Sequence, residues 1–392
     1  MHMPIPPRAT SSPARYGGRA HIGTAVALGA LALNAGAQNI TLYGTADVSV
    51  VAARNIGSGH GTQWLAGSGV VVPSRWGLQG REDLGGGITA SFVLESGIDL
   101  DTGSLKPFAG NPSAATPTAP NGPGATGFNR RAHVGLSGSL GQILLGRDYS
   151  PLYYAGLATD VMHYGYFGNL QTLVQAAGGA ERLARVSNGV FYTSPVLSGF
   201  RARAAYSFGS ESAGGSAGAL PRRANTFHGV GGEYTGGSLS LHATHQVLRY
   251  PEAGGTPAVF TGRLLSRRDS ILGAIHTSGP FQFGASYWKM TGAQKADSMS
   301  AGVSYAFQAN RIYLQLQRLT HNSTPAIERS ATTLGIALAH HLSRRTQLYA
   351  SYGITRNSAN AAFALVASDV AIAPTGPGQK PSALALGIRH DF

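Results

Sequence analysis

The sequence predicts an all-β fold, a closed antiparallel barrel of sixteen strands that crosses a membrane. Apolar and polar residues alternate with a period of two in one segment after another, as in strands with one apolar and one polar face. The connecting segments alternate between short turns and long loops. The 392 residues are 43% apolar and only 12% charged, about half the charged share of a soluble domain. Together these observations favour a β-protein whose outer surface is apolar.

Composition also excludes several other classes of protein. No apolar run approaches the roughly 20 residues that a spanning helix requires, so a helical membrane protein is not expected. The chain has no cysteine, which removes disulfides, thiol nucleophiles and thiolate metal sites. The net charge of +13 makes nucleic acid a partner to consider. The basic residues are scattered over predicted strands and loops, however, so nucleic-acid binding is not expected.

The first 37 residues have the pattern of a cleaved secretory signal peptide. Arg8, Arg15 and Arg19 form a basic start without acids, and a twelve-residue apolar stretch follows over residues 22–33. The stretch ends in Ala35-Gly36-Ala37, whose small side chains suit signal peptidase. We therefore expect a signal peptide over residues 1–37 and a single barrel domain over residues 38–392.

Alternation begins in the first segment of the mature chain and continues to its end. Leu42, Val48 and Val50 take one parity, while Asp47 and Ser49 take the other. The same period-two pattern predicts strands with one apolar face throughout. The predicted strand cores are residues 40–51, 74–82, 88–96, 130–137, 142–148, 188–194, 200–207, 225–234, 238–249, 269–277, 281–290, 298–307, 311–320, 330–339, 347–356 and 383–392.

Short and long connectors alternate between these strands. Residues 138–141 and 278–280 are typical short turns, and residues 97–129, 149–187 and 357–382 are typical long loops. An even strand number with tight turns at one rim and long loops at the other is typical of an outer-membrane barrel. A soluble β-sandwich or propeller is the alternative fold. It is disfavoured because its outer faces would need more charge than these strands carry.

The loop over residues 149–187 is unusually apolar for an exposed connector. Its apolar members include Tyr153, Tyr154, Tyr164, Phe167 and Leu170. An exposed loop of this composition would leave a large apolar surface in water. We therefore expect this loop to be buried within the protein.

Five segments, in order and with the right intervals, resemble the 16-stranded trimeric general porins of Gram-negative bacteria. The likeness covers the whole mature chain. The segments are residues 40–44 (ITLYG), 74–78 with 82–87 (SRWGL and EDLGGG), 141–148 (GQILLGRD), 187–195 (SNGVFYTSP) and 386–392 (LGIRHDF).

The resemblance implies a passive outer-membrane channel for small hydrophilic solutes and ions, with no catalytic residues, no metal and no cofactor. It implies that the third loop folds into the barrel and that Asp148, Asp160 and Glu181 face a basic wall. The second loop, residues 97–129, would latch onto a neighbouring subunit of a homotrimer. Outer-membrane lipids and lipopolysaccharide would surround it, and Phe392 would end the strand read by the barrel-assembly machinery.

If the apolar parity faces lipid, the opposite parity lines the pore. The inward parity carries many basic residues but only Asp47 and Glu95 as acids, so we expect a preference for anions. Some of these arginines could instead lie at the rims and pair with lipopolysaccharide phosphates or loop acids. The basic inward positions are Arg75, Arg81, Arg131, His133, Arg201, Arg203 and Arg389.

This sequence departs from the porin pattern in two places. The family's complete set of pore charges is therefore not assigned to this chain by resemblance. The third loop offers fewer acids than is usual in the family, which favours anion preference. Phe191 also stands at an inward position of the sixth strand that is often basic in relatives.

Other motifs carry little chemistry. Residues 214–218 match G-x-S-x-G but lie in a low-complexity loop without the strand and helix that a nucleophile elbow requires. His340 and His341 are adjacent in a predicted strand and so point to opposite faces, which argues against a metal site. A substrate-specific nutrient channel remains the nearer alternative function. An outer-membrane barrel enzyme is the more distant one.

Overall fold

The structure is a computed structural model that describes residues 40–55, 61–106, 127–178, 184–209, 223–254, 259–293, 295–321 and 328–392. The predicted signal peptide over residues 1–37, the G-x-S-x-G segment and Glu181 lie outside the described residues. The described part is a closed antiparallel barrel with long loops at one rim and short turns at the other.

The described residues contain twenty strands, of which four are short additions in the loops: Gln63–Ser68, Ser104–Leu105, Leu365–Ala367 and Val370–Ile372. The other sixteen coincide with the sixteen predicted cores, which confirms the predicted fold. The strands are β1 (Thr41–Arg54), β2 (Gln63–Ser68), β3 (Arg75–Gly85), β4 (Ile88–Asp99), β5 (Ser104–Leu105), β6 (Arg131–Gly138), β7 (Gly141–Tyr149), β8 (Arg185–Thr193), β9 (Phe200–Ser207), β10 (Phe227–Gly236), β11 (Leu239–Gly254), β12 (Val259–Ser278), β13 (Phe281–Gly292), β14 (Ala296–Phe307), β15 (Asn310–His321), β16 (Arg329–His341), β17 (Thr346–Asn357), β18 (Leu365–Ala367), β19 (Val370–Ile372) and β20 (Ser382–Asp391).

The barrel closes between its first and last strands. β20 pairs with β1 from Thr45↔Asp391 to Arg54↔Ser382. Beyond this ladder, the backbone amides of Gly44 and Phe392 each donate to the other residue's carbonyl at 3.0 Å. A Cβ built on Gly44 would collide with the Phe392 ring, so the terminal ring lies directly over this glycine.

Alternating burial confirms which parity faces out. On β15, Leu314 and Leu316 are exposed on the outer surface, while Tyr313, Gln315 and Gln317 are buried on the inner face. The apolar parity therefore covers the outside of the barrel, where lipid replaces water. The polar parity faces the lumen.

One irregular segment interrupts the wall between β1 and β3. The upper half of β1 pairs with β2 and its lower half pairs with β3, and residues 69–74 between the two strands bend away from the ladder. Asp47 holds this bend, because its carboxylate accepts the amides of Val71 and Val72 at 2.7 and 2.8 Å. The Tyr349 hydroxyl donates to the same carboxylate at 2.6 Å.

Two short helices, α1 (Pro151–Thr159) and α2 (Gln171–Gly178), lie in the third long loop. Ser150 caps α1 by accepting the Tyr153 amide, and Pro151 occupies the first turn, where its missing N–H costs nothing. Neither of these helices is long and apolar enough to cross a membrane. We call the part of this loop over residues 150–178 the inner loop.

Candidate pore constriction

Arginines at β3 and at the start of β6, on either side of β4, form a basic wall on one side of the lumen. Glu95 of β4 lies opposite Gly77 of β3 and Arg131 of β6, so one carboxylate stands between the arginines of both neighbours. Its oxygens lie 3.4 Å from Arg75 Nε and 2.7 Å from Arg130 Nε. We call Arg75, Arg130 and Arg131 the basic wall.

Asp148 reaches the same wall from the inward face of β7. It shares the parity of Leu144, which is buried, whereas Ile143 and Leu145 are exposed on the outer face. Arg131 Nε donates to Asp148 Oδ1 at 2.9 Å, and Arg131 Nη2 lies 3.1 Å from His133 Nε2. The structure therefore brings Arg131, His133 and Asp148 together, with Asp148 on the strand wall rather than on the loop opposite it.

The inner loop presents tyrosines to this wall. Tyr153 stacks on Tyr149 with ring centroids 4.1 Å apart, and Tyr154 contacts both rings edge-on. Burial raises the pKa of the Tyr153 and Tyr154 phenols above the ordinary value, so both stay neutral at physiological pH. Arg203 stacks over the Tyr154 ring at 4.5 Å. The loop side of the lumen is thus neutral and aromatic here.

Inward-facing glycines form the seat of the inner loop on the other side of the lumen. A Cβ built on Gly284 would lie 2.8 Å from Val161, and one on Gly353 would lie 2.6 Å from Phe167. On Gly335 a Cβ would collide with the Phe167 carbonyl oxygen. Any side chain at these positions would displace the loop. This glycine wall consists of Gly273, Gly284, Gly302, Gly335 and Gly353, from β12 to β17.

Polar side chains fix the loop on that seat. The Phe167 amide donates to Ser351 Oγ at 2.8 Å. Gln317 Nε2 donates to the Leu170 carbonyl at 2.7 Å. These bonds join the loop backbone to the inward faces of β17 and β15. They satisfy polar groups that the buried loop would otherwise leave without partners.

Asp160 is placed differently from the expectation that it faces the basic wall. Its side chain is buried inside the loop, where it accepts the amides of Met162, Tyr164 and Leu170 at 2.9 to 3.1 Å. A carboxylate with three backbone donors organises the turn that follows α1. The described part of the loop therefore presents no acid to the basic wall.

A cavity of about 300 Å³ lies between the basic wall and the inner loop. Tyr153, Tyr154 and Leu157 line it from the loop, and Val71 and Pro73 line it from the bend before β3. Its charged lining residues are four arginines and two acids, a net excess of positive charge. These are Arg75, Arg130, Arg131, Arg185, Glu95 and Asp369.

The remaining predicted positions lie away from this cavity. Arg203 lines a smaller cavity beside Arg131 and Asp148. Arg201 Nη1 pairs with Glu233 Oε1 at 2.8 Å on the next strand. Arg81 is exposed on the inward parity of β3, close to the short-turn rim.

Alternation alone missed several charged groups of the lumen. The expectation of only two inward acids is wrong, because Glu233, Asp269 and Asp391 also lie on the inward face. Glu233 follows the glycine pair Gly231-Gly232, which obscures the apolar parity of β10. The inward basic residues that alternation missed include Arg267, Arg311 and Arg329. Arg311 lies within a predicted core, where the period of two could have found it.

Arg130 and Arg185 were missed for a different reason. Arg130 precedes the first residue of β6, so its side chain is not bound by the strand's alternation, and its Nη2 donates to the Tyr149 hydroxyl at 2.7 Å. Arg185 opens β8 and donates to the same hydroxyl at 3.3 Å. At the ends of a strand, alternation with a period of two no longer predicts which face a side chain takes.

Comparison with known proteins places the chain in a family. The family model described as "Gram-negative porin" matches residues 23–360. Outer membrane porin protein 32 of Delftia acidovorans is 28% identical over 94% of this chain and 99% of its own length.

Solved structures are similar over the same extent. The anion-selective porin from Comamonas acidovorans is 25% identical, covers 91% of this chain and 100% of its own, and superposes with a TM-score of 0.74. OmpT of Vibrio cholerae, in a trimer form, is 15% identical over 91% of this chain and 99% of its own, with a TM-score of 0.67, which shows the shared fold. Sixteen closed strands and a family match over most of the sequence lead to one conclusion: the chain belongs to the Gram-negative porin family.

Proposed function

We propose that this porin is a passive diffusion channel of the outer membrane and not an enzyme, and that its pore prefers anions. In this proposal the constriction lies between the basic wall and the inner loop. The observation that carries it is the cavity there, whose charged lining comprises four arginines and two acids. The similar Comamonas porin, itself described as anion-selective, supports the same preference.

The expected anion preference has an electrostatic reason: the acids of the basic wall neutralise only part of its positive charge. Arg75 and Arg130 share the single carboxylate of Glu95, so that cluster keeps a positive excess. The neutral tyrosines opposite add no counter-charge. Guanidinium groups do not deprotonate in proteins, so the excess persists across the physiological pH range.

Ion selectivity in planar bilayers tests this proposal directly. In a salt gradient the wild-type reversal potential should show anion preference, and replacing Arg75 and Arg131 together by Glu should shift it towards cations. The preference should weaken at high salt, because the Debye length falls from about 10 Å at 0.1 M to about 3 Å at 1 M. A cation-preferring wild-type pore would refute the proposal. The control is the double change Arg344→Glu and Arg345→Glu in the exposed β16–β17 turn, which should shift it much less.

We propose a homotrimer in which strands near the chain ends make the subunit contact. On the outer face of β1, Ala46 presents only a methyl group beside the Phe392 ring that covers Gly44. The latch expected over residues 97–129 falls largely outside the described residues. Unheated protein in mild detergent should migrate near three times its boiled mass. A species that stays monomeric in every mild detergent would contradict the trimer.

Phe392 is proposed as the assembly signal for the barrel-assembly machinery. Its backbone closes the barrel against Gly44, and its half-exposed ring lies on the outer face of β1. Deleting Phe392 should reduce insertion in the outer membrane far more than Phe392→Tyr, which keeps the aromatic ring. Equal insertion of both variants would argue against the signal.

A further inference from the structure

The last long loop, residues 357–382, packs against the inner loop inside the barrel. Its short hairpin of β18 and β19 is buried, and Leu365 and Ala367 are fully shielded from solvent. Thr172 Oγ1 of α2 donates to the Val366 carbonyl at 2.8 Å. A Cβ built on Gly353 would lie 3.0 Å from Leu365. The hairpin therefore contacts both the inner loop and the glycine wall.

The turn of this hairpin, Ser368-Asp369, reaches the cavity at the proposed constriction. Both residues line that cavity, whose other charged lining residues are mostly basic. The Asp369 amide donates to the Gly69 carbonyl at 3.0 Å, and a Cβ built on Gly69 would lie 3.2 Å from Asp369 Cβ. These contacts with the bend before β3 fix the position of the turn. They bring a carboxylate to the edge of the cavity.

Lys106 of the second loop lies at the same carboxylate. Its Nζ is 3.0 Å from Asp369 Oδ2 and 2.6 Å from Asp99 Oδ1. The lysine follows β5, and its amide donates to the Gly97 carbonyl at 2.9 Å. A Cβ built on Gly97 would lie 3.1 Å from Lys106 Cδ, so the aliphatic part of the lysine lies over this glycine. The end of β4 thus directs the ammonium group towards the last long loop.

The sequence offers neither charge a substitute within its own loop. Lys106 is the only basic residue between positions 97 and 129, and Asp369 is the only acid between positions 357 and 382. The exposed fraction of the side chain is 20% for Lys106 and 16% for Asp369. Water therefore screens this ion pair less than it screens a fully exposed pair.

Backbone bonds hold the two loops in place independently of this ion pair. The Leu100 amide of the second loop donates to Ser68 Oγ at 3.0 Å. The Asp369 amide donates to the carbonyl of the next residue, Gly69. Both loops are thus anchored at one point of the barrel wall. Removing the lysine charge should leave the loops where they are, with the Asp369 carboxylate uncompensated beside the cavity.

We propose that Lys106 is a selectivity-determining residue of the pore, because it offsets the negative charge that Asp369 of the last long loop brings to the constriction. The inference rests on the proposed channel function, and it identifies a residue outside the basic wall on which the anion preference depends. Without this lysine, the Asp369 carboxylate would attract cations into the cavity and repel anions from it.

Reversal potentials of the purified full-length protein in planar bilayers, at about 0.1 M salt, test the proposal. Lys106→Met removes the charge and keeps most of the aliphatic chain, and it should lower the anion-to-cation permeability ratio about twofold. Lys106→Arg keeps the charge and should leave the ratio near that of the wild type. The matched control is Lys380→Met, which removes the same charge from an exposed position of the last long loop outside the cavity lining. It should also leave the ratio near that of the wild type.

A double variant separates an effect of charge from a displacement of the loops. Lys106→Met with Asp369→Asn removes both charges and should restore the ratio to near the wild-type value. Single-channel conductance should stay close to that of the wild type, since backbone bonds anchor both loops. An unchanged ratio in Lys106→Met, an equal loss in Lys380→Met or no recovery in the double variant would each overturn the proposal.

The single variant Asp369→Asn provides an independent measurement if Lys106→Met does not insert into bilayers. It should raise the anion-to-cation permeability ratio, and a ratio that does not rise would overturn the proposal. The proposed function is tested separately, by the sign of the wild-type reversal potential. The role of Lys106 is tested only by the differences between variants.

Discussion

The basic wall and the glycine wall occupy opposite sides of the same lumen and share the same inward parity. On β3 and β6 the inward positions carry arginines that line an open cavity. On β12 to β17 they carry glycines against which the inner loop packs without a gap. Period-two alternation assigns both the arginines and the glycines to the lumen. The side-chain size at each inward position then decides whether that part of the wall meets solute or supports a loop.

Filling the glycine wall should have the largest effect. Gly335→Val would place a side chain where the Phe167 carbonyl and Gly168 lie, and overpacking of this kind costs about 1–3 kcal/mol. We expect the inner loop to leave its seat, which raises single-channel conductance and lowers ion selectivity. Planar-bilayer recording measures both.

The control for this change is Gly232→Val on the outer face of β10, where nothing lies within 4 Å of a built Cβ. It should fold and conduct as wild type does. If Gly335→Val keeps wild-type conductance in a folded barrel, the glycine wall does not set the loop position and the comparison between the two walls fails.

A single change in the basic wall should have an intermediate effect. Arg131→Gln removes a cation beside the cavity and should lower the anion-to-cation permeability ratio several-fold, with little change in conductance. Arg201→Gln removes a cation that lies outside that cavity, so it should lower the ratio less. Reversal potentials at 0.1 M salt, where charges are weakly screened, compare the two. An equal effect would show that the whole inward row, and not the basic wall, sets the preference.

The smallest expected effect is that of pH on ion selectivity. The pKa values of Tyr153 and Tyr154 are raised by burial, so their phenols stay protonated and add no negative charge as the pH rises from 7 to about 9.5. We expect any change of the reversal potential over this range to be the same in wild type and in a Tyr153→Phe, Tyr154→Phe variant. A loss of anion preference in that range that disappears in a Tyr153→Phe, Tyr154→Phe variant would mean that the loop side ionises and is not neutral.

Sequence alone predicted the strands well, because period-two burial is a local pattern. All sixteen predicted cores became barrel strands, and Arg75, Arg131 and His133 took the inward face that their parity indicated. It also predicted that the loop after Tyr149 is buried, because its apolar side chains would not be stable in water. These results required no knowledge of which strands are neighbours beyond their order in the chain.

Tertiary structure decided how the inward charges are combined. Arg130 and Arg185 are 55 positions apart in sequence, yet both donate to the Tyr149 hydroxyl. Asp160 turned into its own loop because three backbone amides lie within its reach. No periodicity encodes such contacts, since they depend on where separate segments meet.

The sequence by itself determined the strand number, the lipid-facing parity and the burial of the inner loop, since each follows from the chemistry of residues close together in the chain. Only the tertiary structure decided which arginines line the cavity and which acids offset them. The closing of the barrel brings distant strands side by side and so sets those distances.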